Sequence, residues 1–193
     1  MWESPVYKFI TKVNETRKEI FIDVTGSAPS FNEPGKQLEG CFNVLLKGMK
    51  PSTTTILDFG AAKLRNTIYL LKKGYKVHAC EFEDLFKRSQ QANDFLTIAR
   101  SNKNFKNLVF PDGFITSTLK FDVILLINVL NIMPVPLERL CVSYLCKEKL
   151  KKNGKLFWYT QHGTYDYSDA VAELNDGIVT GKGRKFHIKL NFR

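Results

Sequence analysis

Residues Thr53 to Asn66 constrain this chain more than any other stretch, because an apolar run, Thr55-Ile56-Leu57, leads into Asp58-Phe59-Gly60-Ala61-Ala62 and then into a helical pattern. A buried strand followed by residues with little side chain turns tightly, and its backbone N–H groups can approach a ligand closely. The helix continues through Thr67-Ile68-Tyr69-Leu70-Leu71-Lys72-Lys73, and Gly74 supplies its stop. Tyr75 to Glu81 reads as a second strand ending in a carboxylate, so strand, turn, helix and strand make one βαβ unit. Glu81 falls roughly 20 residues past the turn, the separation at which a carboxylate meets a ribose diol in nucleotide-type sites.

On Leu57-Asp58-Phe59-Gly60 and on Glu81, the chain resembles the class I S-adenosylmethionine-dependent methyltransferases, whose motif I and following acidic motif have this form. The likeness runs from about Lys50 to Thr160. Two positions depart from the family pattern, since Ala62 and Leu64 stand where it has its second and third glycines. Leu64 suggests a helix that begins earlier and a last position packed on the sheet. A nicotinamide-binding unit is the rival reading, and it requires a glycine where Arg65 stands. The resemblance implies S-adenosyl-L-methionine as cofactor, with Asp58 anchoring the turn, Gly60 and Ala62 at the methionine end, Glu81 on the ribose hydroxyls, and Arg65 among the cofactor-binding residues. It further implies Asp112 against the adenine amine, Phe82 and Gly113 among the cofactor-binding residues, and Asn128 at the motif IV position. Phe114 is a candidate to flank the ring, and Asp112 reads equally as a plain turn acid.

Taken in order, residues 1–50 read as an appendage of helices and loops over the site, or as a cap on the sheet edge. Within it, Ile20-Phe21-Ile22 fits a strand or a buried helix turn, Gly26 to Gly35 is a loop, and Gln37 to Leu46 is a helix with Leu38, Phe42, Leu45 and Leu46 inward. After Glu81, residues 83–100 carry Leu85, Phe86, Ala92, Phe95, Leu96 and Ala99 on one helical stripe. Asn107 to Phe110 is a third strand, and only Phe114 to Lys120 follows it, enough for a turn or one short helix. Phe121 to Ile127 is nearly continuous in apolar residues, as a central parallel strand is. The next helix, from Val135 to Lys152, has a stripe of Leu137, Leu140, Cys141, Tyr144, Leu145 and Leu150 and stops at Asn153-Gly154; Lys155 to Thr160 is a fifth strand. Alternation of Phe186, Ile188, Leu190 and Phe192 beyond a Gly-Lys-Gly turn gives a final antiparallel strand with one buried face.

The expected architecture is an α/β, three-layer Rossmann-like sandwich with a mostly parallel sheet, an antiparallel C-terminal strand and an N-terminal helical and loop appendage. One domain over 1–193 is expected, with 1–50 as appendage and 51–193 as core, since 193 residues at 44% hydrophobic content suit a single core. No membrane span or leader pattern is present, which reads as a cytoplasmic protein without a membrane partner. Cys41, Cys80, Cys141 and Cys146 lack metal or disulfide spacing, so no metal is assigned. A net charge of +10 favours phosphate-rich partners, and nucleic acid is one expectation, through Lys182, Arg184 and Lys185 and through Lys63 or Arg65; the dispersed lysines fit solubility as well.

Two functions remain open on the residues. One is methyl transfer to an oxygen or nitrogen acceptor of unstated identity, with Asn128 orienting the acceptor and His162 as general base in a loop with Gln161 and Tyr165. Asn128 is followed by Val129 and Leu130 and no Pro-Cys pair is present, which argues against amino-methylating DNA enzymes and against attack at cytosine carbon. The other function is a non-catalytic methyltransferase-like subunit that binds nucleic acid or protein. The sequence leaves the oligomeric state open.

Overall fold

The computed structural model describes residues 4–13, 16–25, 33–160, 170–180 and 185–188. The chain opens with two antiparallel strands, β1 (Val6–Val13) and β2 (Thr16–Asp23), paired from Val6↔Asp23 to Val13↔Thr16. Strands therefore stand where helices and loops were expected in the first part of residues 1–50. Period-two burial is the reason: Ile20 and Ile22 turn inward while Phe21 stays 50% exposed, and only a strand places alternate residues on opposite faces. The expected helix follows as α1 (Lys36–Leu45), with Leu38 and Phe42 buried. The expected loop at Gly26 to Gly35 lies mostly outside the described residues.

Next come β3 (Thr55–Phe59), α2 (Arg65–Lys72), β4 (Lys76–Phe82), α3 (Glu83–Arg88) and α4 (Gln90–Arg100). The single helix expected over 83–100 is broken at Ser89, whose extended backbone and side chain, accepting from Ala92 N–H at 3.3 Å, cap a fresh helix. Then follow β5 (Phe105–Phe110), the short α5 (Asp112–Thr116), β6 (Phe121–Ile127), α6 (Pro136–Glu148) and β7 (Leu150–Tyr159). The last strands are β8 (Ala172–Leu174), β9 (Gly177–Thr180) and β10 (Lys185–Ile188).

These elements gather into two compact units. The sheet unit comprises Ala28–Ile127 and Leu145–Trp158; the hairpin unit comprises Met1–Ser27, Asn128–Tyr144 and Tyr159–Arg193. In the sheet unit five strands lie in the order β5-β4-β3-β6-β7. Parallel registers join β3 to β4, β3 to β6 and β4 to β5. Phe121 N–H donates to Lys149 O and Asn128 N–H to Tyr159 O, each at 2.8 Å, so β7 starts and ends beside β6 and also runs parallel. Ile56, Leu57, Asp58 and Phe59 are buried in succession, as are Val77 to Glu81, because such strands are covered on both faces. β7 begins five residues before the expected Lys155, and it passes Asn153 at φ 67 and Gly154, where a Cβ would stand 2.9 Å from Phe121 O.

The hairpin unit holds β1-β2 and an antiparallel sheet of order β10-β9-β8, the expected C-terminal strand lying in this separate sheet. Ile20, Ile22, Val179 and Phe186 form its core. Gly177 is required there, for a Cβ would meet Phe186 Cζ at 2.2 Å. The expected stripe on α6 faces outward instead: Leu137, Leu140 and Tyr144 are 58%, 66% and 60% exposed, while Glu138 and Arg139 are buried. Polar partners draw them in, since Tyr7 OH donates to Glu138, and Arg139 donates to Asp176 and to Met133 O. No helix among the described residues is long and apolar enough to cross a membrane.

Candidate functional site

The parallel strands β3, β4 and β5 end side by side at Phe59, Phe82 and Phe110, and the candidate residues follow these ends. Leaving β3, the backbone enters the left-handed region three times in five residues, at Gly60 (φ 67), Ala62 (φ 48) and Leu64 (φ 61). Only the first is a glycine, and the Cβ at each of the other two costs about 1–2 kcal/mol. Hydrogen bonds fix the turn: Gly60 and Ala61 N–H donate to Cys80 O at 2.9 and 3.2 Å, and Leu64 N–H donates to Ala61 O at 2.8 Å. Ala62 N–H donates to Glu81 Oε2 at 2.7 Å. Leu64 is fully buried, and burying that side chain contributes about 1.5–3 kcal/mol. Its leucine therefore does not move the helix start earlier. α2 begins at Arg65, with Leu64 as the left-handed residue before it. The first three N–H groups of the turn are engaged inside the protein, and those of Arg65 and Asn66 open the helix.

Asp58 is 1% exposed and accepts from Thr67 Oγ1 at 2.6 Å, tying β3 to α2. Burial raises its pKa from 3.8 to about 6, against the Thr67 hydrogen bonds and the Arg65 charge, which lower it. The anchoring role thus has a geometry, and Thr67 is the partner that sequence reading missed. Arg65 is half-buried, and desolvation lowers its pKa while Asp58 raises it. Arg65 Nε and Asn66 Oδ1 are buried without a hydrogen-bond partner. Asn66 was also missed; a run Arg-Asn-Thr at the buried start of a helix is the signal for both.

Glu81, 7% exposed, directs one carboxylate oxygen to Ala62 N–H and the other to Phe82 N–H at 2.8 Å. Phe82 is half-buried and packs edge-on to Phe110 at 4.9 Å. Asp112 is the exposed first residue of α5, and Gly113 has ordinary space around it, its nearest neighbours 3.8 Å from where a Cβ would stand. Phe114 is fully buried, edge-on to Phe59 at 4.9 Å and under Lys149 Nζ at 4.9 Å. Lys63 donates to Gln91 at 3.0 Å.

Asn128 follows β6 directly, at φ 55, and its N–H holds Tyr159 O. Asn131 Oδ1 and Thr160 Oγ1, just beyond the ends of β6 and β7, are buried without partners. His162, Gln161 and Tyr165 lie outside the described residues, as do Lys182 and Arg184; Lys185 is exposed at the start of β10. Among the described residues no group of His, Cys, Asp and Glu could hold a metal ion.

No protein-family model and no curated protein matches the sequence. Solved structures do match the fold. The 1,6-didemethyltoxoflavin-N1-methyltransferase of Burkholderia thailandensis, with 1,6-didemethyltoxoflavin and S-adenosylhomocysteine bound, is similar at TM-score 0.56 and 16% identity, over 79% of this chain and 60% of that one. The CcbJ methyltransferase of Streptomyces caelestis gives 0.52 at 14% identity, over 81% and 64%. An S-adenosylmethionine-dependent methyltransferase of Thiobacillus denitrificans, in complex with S-adenosyl-L-homocysteine, gives 0.50 at 13%, over 70% and 52%. The chain spans 52% to 64% of the length of these three proteins. What it shares with them is the class I methyltransferase fold.

Proposed function

We propose that the chain binds S-adenosyl-L-methionine at the β3–α2 turn and transfers its methyl group to an oxygen or nitrogen acceptor. The observation that carries this reading is Glu81, whose carboxylate is fixed at the turn by the backbone N–H groups of Ala62 and Phe82, in a position to meet a neighbouring pair of hydroxyls. A ribose diol presents such a pair. The residues also fit the amino-acid end of the cofactor, because Arg65 Nε is a donor without an acceptor and Asn66 Oδ1 an acceptor without a donor. A carboxylate and an ammonium group would answer one each, after a side-chain rotation that opens them.

When bound, the cofactor supplies a methyl group on a sulfonium, already a strong electrophile, so the protein's work is placement. Gly60 and Ala62 shape the turn at the methionine end; Phe82, Asp112 and Gly113 border the adenine; Asn128 orients the acceptor by a hydrogen bond. His162 serves as general base where the acceptor must lose a proton. The charge of +10 supports nucleic acid as the acceptor or its carrier.

A second reading, a non-catalytic binding subunit, is favoured by the Cβ that Ala62 places in a left-handed turn. Thermal melts with S-adenosylhomocysteine and with NAD separate the possibilities. A ligand at 100 times its Kd stabilises by about 2.7 kcal/mol. Methyl transfer predicts a shift with S-adenosylhomocysteine alone, the dinucleotide rival a shift with NAD, and the binding subunit a shift with neither.

A further inference from the structure

We infer that the outer face of the β1-β2 hairpin is a binding surface for single-stranded nucleic acid. The inference rests on the nucleic-acid partner named above and not on methyl transfer. Alternation turns Val6, Lys8, Ile10 and Lys12 of β1 and Arg17, Glu19 and Phe21 of β2 to the outside, and all seven are exposed. The register sets Lys8 opposite Phe21, Ile10 opposite Glu19, and Lys12 opposite Arg17.

The acids on this face are already engaged. Glu19 pairs with Lys8 at 2.6 Å, and Asp23, at the far end, accepts from the N–H and hydroxyl of Thr25 at 2.9 and 2.7 Å. Lys12 and Arg17 form no ion pair among the described residues, and like charges directly opposite each other destabilise a strand pair. A phosphate set between them removes that repulsion. Four residues along β2 from Arg17 stands Phe21, 50% exposed, with Lys8 Nζ 5.8 Å from its ring centre. An exposed ring beside cations on a sheet face is a stacking platform for an unpaired base, which a duplex does not offer.

An anionic membrane is the competing occupant, because Val6, Ile10 and Phe21 are apolar. On this face they are interleaved with the Lys8–Glu19 pair, and inserting them would bury that pair, whereas a strand of nucleic acid leaves it at the water's edge. Fluorescence anisotropy of the whole chain with a labelled single-stranded oligothymidine tests the inference. Phe21→Ala should weaken binding about tenfold. The double variant Lys12→Ala, Arg17→Ala should reduce the log–log salt slope by about 0.7, for the one phosphate between them. Both alter exposed side chains, so melting curves and S-adenosylhomocysteine titrations should match the parent. Parent binding that these variants leave unchanged overturns the hairpin surface and spares the partner class; no binding by the parent overturns both. Equal affinity for the matching duplex, or hairpin-dependent binding to phosphatidylserine vesicles without oligothymidine binding, also overturns it.

Discussion

In the sheet unit four successive residues of β3, Ile56 to Phe59, are buried, and one of them is an aspartate; in the hairpin of β1 and β2 burial alternates and every charged residue except Asp23 is exposed. The difference follows from coverage. A parallel strand packed on both faces hides whatever its sequence carries, so Asp58 and Glu81 lose water and are answered by Thr67, Ala62 and Phe82. A two-stranded ribbon packed on one face keeps its charges hydrated. The proposed methyl transfer accordingly draws on the buried acids at the strand ends of the first region, and the proposed nucleic-acid surface on the hydrated charges of the second.

The largest effect that would break this contrast lies at Leu64. Leu64→Gly relieves a left-handed residue, yet it removes a fully buried side chain, and large-to-small changes of this kind cost about 2–5 kcal/mol. Denaturant melts should show a clear loss; a gain would mean that backbone strain, not burial, governs the turn.

Next is the titration of Asp58. Its carboxyl is protonated more readily in the folded than in the unfolded chain, so its contribution is complete below pH 3.8 and is lost as pH rises through about 6. That is a fall of about 3 kcal/mol at most. Asp58→Asn cannot titrate, and its stability–pH curve should lack this step. Identical curves for the two proteins would show Asp58 to be hydrated.

Smaller still is Gly177→Ala in the hairpin unit, where the new methyl group would meet the Phe186 ring and, at 2.5 Å, His187 O. Overpacking costs about 1–3 kcal/mol, and thermal melts should register it. A neutral result would mean that the β9–β10 pair gives way more easily than the sheet. The smallest change is a gain: Ala62→Gly should stabilise by about 1 kcal/mol, since an L-residue with φ 48 is strained and no buried side chain is lost. A loss there would show that the alanine methyl packs usefully.

Much of the sheet unit was legible in the sequence because its signals are local. Strand, turn, helix and strand fall within Thr55–Phe82, and Glu81 ends the second strand beside the turn, where it also accepts Ala62 N–H. Legibility failed where the deciding partner is remote. The stripe on α6 points outward because Glu138 bonds Tyr7, 131 residues away, and Arg139 bonds Asp176, 37 away. The hairpin stayed ambiguous because Ile10 stands on the outer face among lysines, spoiling an apolar alternation. Thr67 was passed over since nothing in a helical run marks one threonine as the partner of a buried acid. Leu64 misled for a physical reason: the glycine rule describes backbone cost, and burial offsets that cost here.

The most direct test of the central claim is calorimetric titration of S-adenosylhomocysteine into the parent and into Glu81→Ala. A charged hydrogen bond is worth about 1.5–3 kcal/mol, so the account predicts a saturable parent isotherm and affinity weaker by roughly tenfold or more in the variant. An unchanged affinity in Glu81→Ala, or a parent that takes up no ligand, would contradict it.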